Sequence, residues 1–166
     1  MRTFRRVAIV VVIWTVAWPA ARAAGQASTA TLSASLNPVA DITLSTAAVS
    51  FPDADPDTVP QIPSTSGPVL ITAKARAAAG AQVLLTVQAT DDLRSGVTVI
   101  PASNISWTAT GSGFISGTLS KTVPATLASW NNSGVHTGSQ QLYFRNLWTH
   151  PTGTYTLSIL YTLSAP

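Results

Sequence analysis

The fold class follows from one stretch at the end of the chain, Gly153-Thr-Tyr-Thr-Leu-Ser-Ile-Leu-Tyr-Thr-Leu-Ser-Ala-Pro166. Its odd-numbered positions from 155 to 163 are all apolar, whereas its even-numbered positions carry Thr or Ser except at Leu160. Because side chains on a β-strand alternate between two faces, this pattern places one apolar face on a core and one hydroxyl face in water. We therefore predict a central or near-central strand of an antiparallel sandwich.

Residues 1–23 have the three-part form of a secretory signal peptide. A basic segment is followed by an apolar run that ends before Pro19, and Ala21-Arg-Ala23 matches a cleavage site. The apolar run of about 12 residues is shorter than the roughly 20 that a membrane-spanning helix needs, which disfavours an anchor. The mature chain is expected to begin near Ala24, without a membrane span, and to be secreted to the cell surface, the medium or the periplasm.

Removal of this leader changes the charge of the protein. The whole chain has a net charge of +3, but four of its nine basic residues lie in the leader. The remaining five basic residues minus six aspartates give about −1 for residues 24–166. Because no basic cluster is left to contact phosphates, a nucleic-acid partner is not expected.

Residues 24–166 are predicted to form one domain, since 166 − 23 = 143 residues suffice for a single hydrophobic core. The chain has no cysteine, so a secreted protein of this kind must be stable without disulfides. Few charged residues and many Ser, Thr, Ala, Val and Leu favour strands over helices. This composition is typical of a bacterial surface or periplasmic protein.

Alternating segments recur along the chain. The clearest are residues 69–76 and 82–89, which flank a turn at Ala77-Ala-Ala-Gly80 and are predicted to form a hairpin. Further strands are predicted at residues 31–36, 42–51, 97–100, 104–110, 115–122, 126–130 and 140–146, with turns at Asn37-Pro38 and 91–96. Residues 52–68 are predicted to be one surface loop, because proline cannot donate to a strand ladder. About nine or ten strands predict an all-β fold, a single antiparallel sandwich of immunoglobulin-like or Greek-key type.

Three blocks of sequence suggest a family. Val87-Gln-Ala-Thr-Asp-Asp-Leu-Arg94, Ser106-Trp-Thr-Ala-Thr-Gly-Ser-Gly-Phe114 and the stretch from Pro151 to Pro166 resemble, in order, three blocks of the WxL surface domain, over about residues 80–166. The second and third blocks have Trp107-Thr-Ala109 and Tyr161-Thr-Leu163 where the family has Trp-x-Leu. The terminal Gly-Thr-Tyr strand is also similar to the end of pilin-like sandwiches. The resemblance implies a β-sandwich at the bacterial surface, and for the WxL domain it implies non-covalent attachment to the cell wall.

Two groups of charged residues are candidate sites. Asp53, Asp55 and Asp57 alternate in the proline-rich loop, and clustered carboxylates of this kind can bind calcium, the one cofactor that the sequence suggests. The alternative is a solvated acidic loop, because Asp-Pro pairs commonly begin turns. Asp92 and Arg94 are predicted to pair across their turn, as a structural ion pair rather than as ligand contacts.

The aromatic residues suggest binding rather than catalysis. Trp107 lies on an alternating strand and is predicted to be in the core. Trp130 and Trp148 stand before polar turns, where an indole ring can stack on a sugar or enter a partner surface. The alternative for both is packing under a loop, which is the more common outcome. No cysteine nucleophile, Asp–Glu pair or His-x-x-x-His spacing is present, so an enzyme is not expected.

The sequence therefore predicts a secreted surface protein that binds cell-wall polysaccharide or another surface protein. One alternative is a fibre or pilus subunit that binds copies of itself, in which residues 29–36 add a strand to a neighbour. A carbohydrate-binding module is a further alternative. Because Asn37-Pro38 can turn the chain, we expect residues 29–36 to fold back into their own sheet.

Overall fold

The computed structural model describes residues 31–166, of which residues 35–166 form one compact unit. The predicted signal peptide, the start at Ala24 and residues 29–30 lie outside the described residues. Residues 31–38 contain no strand, turn or bend. The predicted strand at residues 31–36 and the turn at Asn37-Pro38 are therefore wrong, and the first strand begins at Val39. Among the described residues no helix has the length and apolarity to cross a membrane.

The described chain is all-β and its named strand pairs are antiparallel, as predicted. Its helical structure, within residues 31–166, is one 3-10 turn at Ala102–Asn104. The strands are β1 Val39–Leu44, β2 Gln61–Pro63, β3 Val69–Arg76, β4 Gln82–Ala89, β5 Leu93–Ser95, β6 Thr98–Ile100, β7 Ile105–Thr110, β8 Gly117–Thr118, β9 Ala125–Asn131, β10 Gly134–Arg145 and β11 Ile159–Ser164. The short β5 lies in the segment that was predicted to be only a turn.

Two sheets contain most of the strands. Sheet A has the order β1-β3-β10-β7-β8, with β2 also paired to β10, and sheet B has the order β11-β4-β9. The strands β5 and β6 form a separate hairpin. Within the described residues, β11 pairs with β4 alone and is an edge strand of sheet B, next to its central strand, whereas the sequence predicted a central or near-central strand. Alternation shows that one face is buried, but it does not show how many neighbours a strand has.

The predicted hairpin of residues 69–76 and 82–89 is also wrong. The two segments form β3 and β4, but β3 lies in sheet A and β4 lies in sheet B. Residues 77–81 connect the sheets, and Gly80 adopts the left-handed conformation at φ +77° that this connection requires. Both strands have one apolar face, so each can bury that face against the other sheet without pairing.

The buried faces of the two sheets belong to one hydrophobic cluster. Its largest buried side chains from sheet A include Ile71, Trp107 and Leu142, and those from sheet B include Leu85 and Leu127. A sheet-on-sheet arrangement of this kind is an antiparallel β-sandwich. Leu157, Ile159 and Tyr161 pack against the cluster while half-buried. The predictions that Trp107 is in the core and that these residues share it are confirmed.

The proline-rich region 52–68 is not one loop throughout. Gln61–Pro63 forms β2 and pairs with residues 143–145 of β10, and the Ile62 side chain is buried. Asn146 holds the preceding loop, since its side-chain amide donates to the carbonyl groups of Ala54 (2.9 Å) and Val59 (3.2 Å). The loop therefore has a defined position beside the C-terminal end of β10.

Residues 113–120, which we call the closing segment, join the two sheets on one side. Toward sheet B, Ile115 N–H donates to the Leu127 carbonyl (2.8 Å) and Ser129 N–H donates to the Gly113 carbonyl (3.0 Å). Toward sheet A, Leu119 N–H donates to the Ile105 carbonyl at 2.9 Å. This side of the sandwich, the closed side, is thus connected by backbone hydrogen bonds.

Candidate functional site

A groove of about 1500 Å³ lies on the side formed by the edge strands β1 and β11. Its floor includes the buried side chains of Val69, Ile105 and Leu142. Residues 44–56 form one wall, and residues 146–161 contribute the other. We call this the open groove. Because its floor is aliphatic, it favours an apolar ligand surface.

In the described part of the chain, the backbone edge of β11 that faces away from β4 is unpaired. Thr90 N–H donates to the Ser158 carbonyl at 2.9 Å, and the register of β11 and β4 continues from that pair. Backbone groups alternate in direction along a strand, so those of Leu160, Thr162 and Ser164 point toward β4 and those of the odd-numbered residues point away. Within residues 31–166, the N–H and C=O groups of Ile159, Tyr161 and Leu163 have no backbone partner.

The same odd-numbered residues direct their side chains inward. Ile159, Tyr161 and Leu163 are half-buried, whereas Leu160 is 54% exposed on the opposite face. Ile159 and Tyr161 line the groove, as does Leu157 just before the strand. The edge of β11 therefore combines backbone groups that have no partner among residues 31–166 with an apolar surface, which are the two features that an added strand needs.

Strand β1 forms the facing edge, at the end of sheet A. Ser45 N–H donates to the Leu70 carbonyl at 2.9 Å, and β1 pairs with β3 up to that point. Ile42 and Leu44 are half-buried and pack against the core cluster, and Leu44 lines the groove. The open groove thus lies between two strand edges, each of which has one neighbouring strand in the described part of the chain.

A side-chain hydrogen bond connects β11 to sheet A through the interior. The Tyr161 hydroxyl donates to Gln140 Oε1 at 2.7 Å, and Gln140 is 0% exposed. Burial raises the pKa of Tyr161 to about 12, because the phenolate would lose its hydration. Gln140 Nε2 has no hydrogen-bond partner within residues 31–166. The bond to Tyr161 therefore satisfies the oxygen of the buried Gln140 amide but not its nitrogen.

Aromatic rings line the groove beyond the end of β10. The Phe144 ring lies 6.0 Å from Phe51 and 5.3 Å from His150, measured between ring centroids. Burial lowers the pKa of His150, and the nearby Arg145 adds to the effect. The imidazole is therefore neutral at neutral pH, and this part of the groove presents uncharged rings.

Trp148 is the exposed aromatic residue of the site. Its indole is 70% exposed, and Nε1–H donates to Asp57 Oδ1 at 3.0 Å. Asp57 N–H in turn donates to Asp55 Oδ1 at 2.9 Å, as part of the loop that Asn146 anchors. These bonds fix the indole N–H while most of the ring stays exposed, so a role for Trp148 on a ligand surface stays a prediction.

The geometry does not favour calcium at Asp53, Asp55 and Asp57. Within residues 31–166 there is no group of three His, Asp or Glu side chains arranged to hold a metal ion. Asp55 accepts a bond from its own turn and Asp57 accepts one from Trp148, so these carboxylates do not converge on a common point. An acidic loop that orients Trp148 is the interpretation that these contacts support.

Trp130 does not belong to a ligand surface. It is buried, it does not line the groove, and its ring stacks on His136 with 4.2 Å between centroids. The polar turn after Trp130 is exposed, but the indole points inward from β9. The prediction that Trp130 contacts a ligand is therefore wrong, because sequence does not reveal the direction of a side chain at the end of a strand.

The predicted pair of Asp92 and Arg94 is also wrong in its partners. Arg94 donates two bonds to Asp91, from Nε at 2.6 Å and from Nη2 at 3.2 Å. Asp92 pairs with Lys121 and accepts the Ala102 N–H at 2.9 Å. These hydrogen bonds lower the pKa of both carboxylates. Both aspartates thus have structural partners, and the structure places Lys121, which is distant in sequence, next to Asp92.

No protein-family profile, curated protein or solved structure matches the chain. The resemblance to WxL and pilin-like domains therefore stays a prediction from the residues. The site is therefore described by its geometry, and the sequence predicted only some of its residues. It identified Trp148 and the inward face of β11, but it contained no signal for the free edge.

Proposed function

We propose that the protein is a secreted surface subunit that binds an extended polypeptide in the open groove and so attaches or assembles non-covalently. The observation that carries this proposal is the edge of β11, which has no partner strand within residues 31–166 and lies beside an apolar groove. An exposed strand edge is a template for another chain, and many proteins recognise extended peptides by adding them to a sheet.

The groove suits a polypeptide better than a small ligand. Small-molecule pockets are typically about 300–1000 Å³, which is less than the volume of this groove. The backbone N–H and C=O groups of Ile159, Tyr161 and Leu163 recur at every second residue. An added strand presents its own N–H and C=O groups at the same spacing. A polysaccharide would not match this spacing, so we favour a protein partner over the cell-wall polysaccharide.

The predicted leader supports a location outside the cytoplasm. A basic segment, an apolar run and a small-residue cleavage site are what the secretion machinery requires. A secreted protein with an open strand edge meets its partners at the cell surface or in the periplasm, and there the groove would be filled.

Amide hydrogen exchange of the secreted chain tests this function. In the free protein, the amides of Leu160, Thr162 and Ser164 should be protected, while those of Ile159, Tyr161 and Leu163 should exchange fast. Addition of an octapeptide of alternating leucine and threonine should slow the second set at least about tenfold, because these groups gain partners. Binding without this odd-numbered protection, or no binding, would contradict the proposal.

Two neighbouring substitutions provide a matched pair for the same measurement. I159K places a charge on the inward face of β11 and should abolish peptide binding, since inward-pointing charges block strand addition. L160K places the same charge on the outer face, where Leu160 is 54% exposed, and should leave binding unchanged. Circular dichroism confirms that both variants fold.

A second candidate function, carbohydrate binding, has one specific observation in its favour. The Trp148 indole is 70% exposed and its N–H is already bonded to Asp57, so the ring offers mainly its face. W148A should then weaken binding to insoluble cell-wall polysaccharide at least about tenfold. An unchanged affinity, or no affinity in the unsubstituted protein, would exclude this function for Trp148.

A further inference from the structure

We propose that the chain cleaves its own backbone at the bond between Asp55 and Pro56, in the loop that forms one wall of the open groove. This bond is the one Asp-Pro bond in the sequence. Self-cleavage is an activity separate from peptide binding, so a chain that lacks one of them can still have the other.

The pair of residue types makes this bond reactive. An aspartate carboxylate can attack the carbonyl carbon of its own residue, because a five-membered ring closes. Before most residues a competing route exists, in which the next backbone nitrogen attacks the carboxyl group, but the Pro56 nitrogen carries no hydrogen and cannot do this. A proline nitrogen also accepts a proton more readily than other amide nitrogens, so it leaves more easily. Attack by Asp55 therefore leads to cleavage.

Three donors surround the carbonyl oxygen of Asp55. It accepts hydrogen bonds from the backbone N–H groups of Thr58 (3.1 Å) and Val59 (2.8 Å) and from Thr58 Oγ1–H (3.1 Å). Attack on the carbonyl carbon places negative charge on this oxygen, and donors at about 2.7–3.1 Å stabilise such a charge. The turn therefore provides an oxyanion hole at the bond that would break.

The attacking carboxylate is held in the same turn. Asp57 N–H donates to Asp55 Oδ1 at 2.9 Å, which fixes the Asp55 side chain beside its own carbonyl group. Among the salt bridges of residues 31–166 none involves Asp55, so no cation competes for its carboxylate. Asp55 is also exposed, so water can reach the bond.

The reaction consumes one water and needs no other reactant. A carboxylate oxygen of Asp55 forms a bond to the carbonyl carbon, and the bond from this carbon to the Pro56 nitrogen breaks. The electron pair of the broken bond stays on the nitrogen, which takes a proton from the solvent. Water then hydrolyses the cyclic anhydride, which restores the Asp55 side chain and leaves a new α-carboxylate.

The two fragments should stay together after cleavage. The Asn146 side-chain amide donates to the carbonyl groups of Ala54 and Val59, which lie on opposite sides of the bond. Strand β1, on the first fragment, pairs with β3, on the second. The cleaved protein therefore keeps its sheets, while the groove wall gains a free end at Asp55.

Mass spectrometry over time tests the self-cleavage. The secreted chain and a synthetic peptide of residues 48–62, which has the same bond without the fold, are incubated at about pH 4, near the ordinary pKa of aspartate side chains. The folded chain should be cleaved after Asp55 at least about tenfold faster than the peptide, because the turn supplies the oxyanion donors. The chain unfolded in urea should react at the rate of the peptide. An equal or slower rate in the folded chain, or no cleavage, would overturn the proposal.

Substitutions in the turn separate the two chemical roles. D55N removes the attacking carboxylate and should abolish cleavage, whereas D53N removes a neighbouring carboxylate and should leave the rate unchanged. T58V keeps the shape of the side chain but removes one oxyanion donor, so it should slow the folded chain about tenfold and leave the peptide unaffected. Cleavage that persists in D55N would indicate a contaminating protease and overturn the proposal, as would an unchanged rate in folded T58V.

Discussion

On the closed side of the sandwich, the segment of residues 113–120 donates and accepts backbone hydrogen bonds with both sheets. On the open side, β1 and β11 end their sheets, and the link between sheets that β11 provides is the side-chain bond from Tyr161 to Gln140. The same core cluster lies between the two sides. The difference therefore concerns the edges of the sheets and not the hydrophobic interior.

The closed side shows how a strand edge is covered by another part of the same chain. The Phe114 ring packs so closely on Gly138 that a Cβ at this position would lie 2.6 Å from ring carbon Cε2. Trp107 Nε1–H donates to the Ile115 carbonyl at 2.8 Å, which fixes the segment from within. The open side lacks a comparable segment in residues 31–166. Proteins usually cover or charge their edges, and β11 has no charged residue, which is why the proposed function is built on this edge.

The largest expected effect is the loss of Trp107. W107A should lower the free energy of unfolding by about 3–5 kcal/mol, because it leaves a cavity and removes the partner of the Ile115 carbonyl. W148A, on the open side, should cost less than about 1 kcal/mol, since its side chain is mostly exposed. Urea denaturation of both variants measures the difference. Similar losses would mean that the closed side does not depend on Trp107.

The two edge strands of sheet B give the next comparison. L127A, in β9 beside the closing segment, should cost about 2–5 kcal/mol because Leu127 is fully buried. I159A, in β11 beside the groove, should cost about 1–2 kcal/mol because Ile159 is half-buried. Equal losses in denaturant unfolding would show that β11 is as well covered as β9.

A smaller effect is expected at the bond that crosses the interior. Y161F should lower stability by about 1–2 kcal/mol, because Gln140 would then be a buried amide with no partner for Oε1. Y155F is the control, since the Tyr155 hydroxyl donates to the Pro151 carbonyl at an exposed position. It should change stability by less than about 0.5 kcal/mol. A neutral Y161F would show that the bond does not hold β11.

The raised pKa of Tyr161 adds a test at alkaline pH. In the folded protein this pKa is about 12, against 10.0 for the ordinary side chain, so the folded state favours the neutral phenol. The stability from this group is therefore complete below about pH 10 and is lost as the pH rises toward 12. Between about pH 10 and pH 12, the midpoint temperature of thermal unfolding should fall more steeply with pH for the wild type than for Y161F. Parallel curves would contradict the burial of this hydroxyl.

The smallest effects on stability are expected from two ion pairs, one next to the closed side and one next to the open side. Lys121 follows the closing segment and pairs with Asp92, whereas Arg94 pairs with Asp91 and exchanges backbone bonds with Thr156 on the open side. Hydrogen bonds from Arg94 lower the pKa of Asp91 from 3.8 to about 2, and those from Lys121 lower the pKa of Asp92. Groups with a lowered folded pKa stabilise the protein above the ordinary value and lose this contribution as the pH falls through the folded value.

Acid unfolding should therefore separate the two pairs. Wild-type thermal stability should decrease from about pH 4 to about pH 2, and both D91N and D92N should flatten this decrease. At neutral pH, D92N should cost more than D91N, because the Asp92 side chain is 13% exposed and also accepts the Ala102 N–H. A steeper acid decrease in D91N than in the wild type would contradict the sign of the shift.

Particular residues show how far sequence reasoning reached. The alternation at residues 69–76, 82–89 and 104–110 predicted strands within about a residue of β3, β4 and β7, and Trp107 was predicted to be buried. The same alternation placed residues 31–36 in a strand, where the structure has none. A strand needs a neighbour as well as a pattern, and the neighbour of these residues is not specified by their own side chains.

Charge partners and aromatic exposure show the same limit. Arg94 has two aspartates close to it in sequence, and only the fold decides that Asp91 is its partner and that Lys121 pairs with Asp92. Trp130 and Trp148 both precede polar turns. Trp130 is buried and stacks on His136, whereas Trp148 is exposed and donates a hydrogen bond to Asp57.

The sequence by itself determined that this protein is all-β and antiparallel and that the odd-numbered side chains of β11 face a core. These properties depend on the alternation of side chains along a single strand, which is local. The tertiary structure alone decided that β3 and β4 lie in different sheets and that the closing segment covers one side. It also decided that β11 is an edge strand next to the groove among residues 31–166. Each of these depends on which distant segments pair, and an isolated strand carries no record of its neighbours.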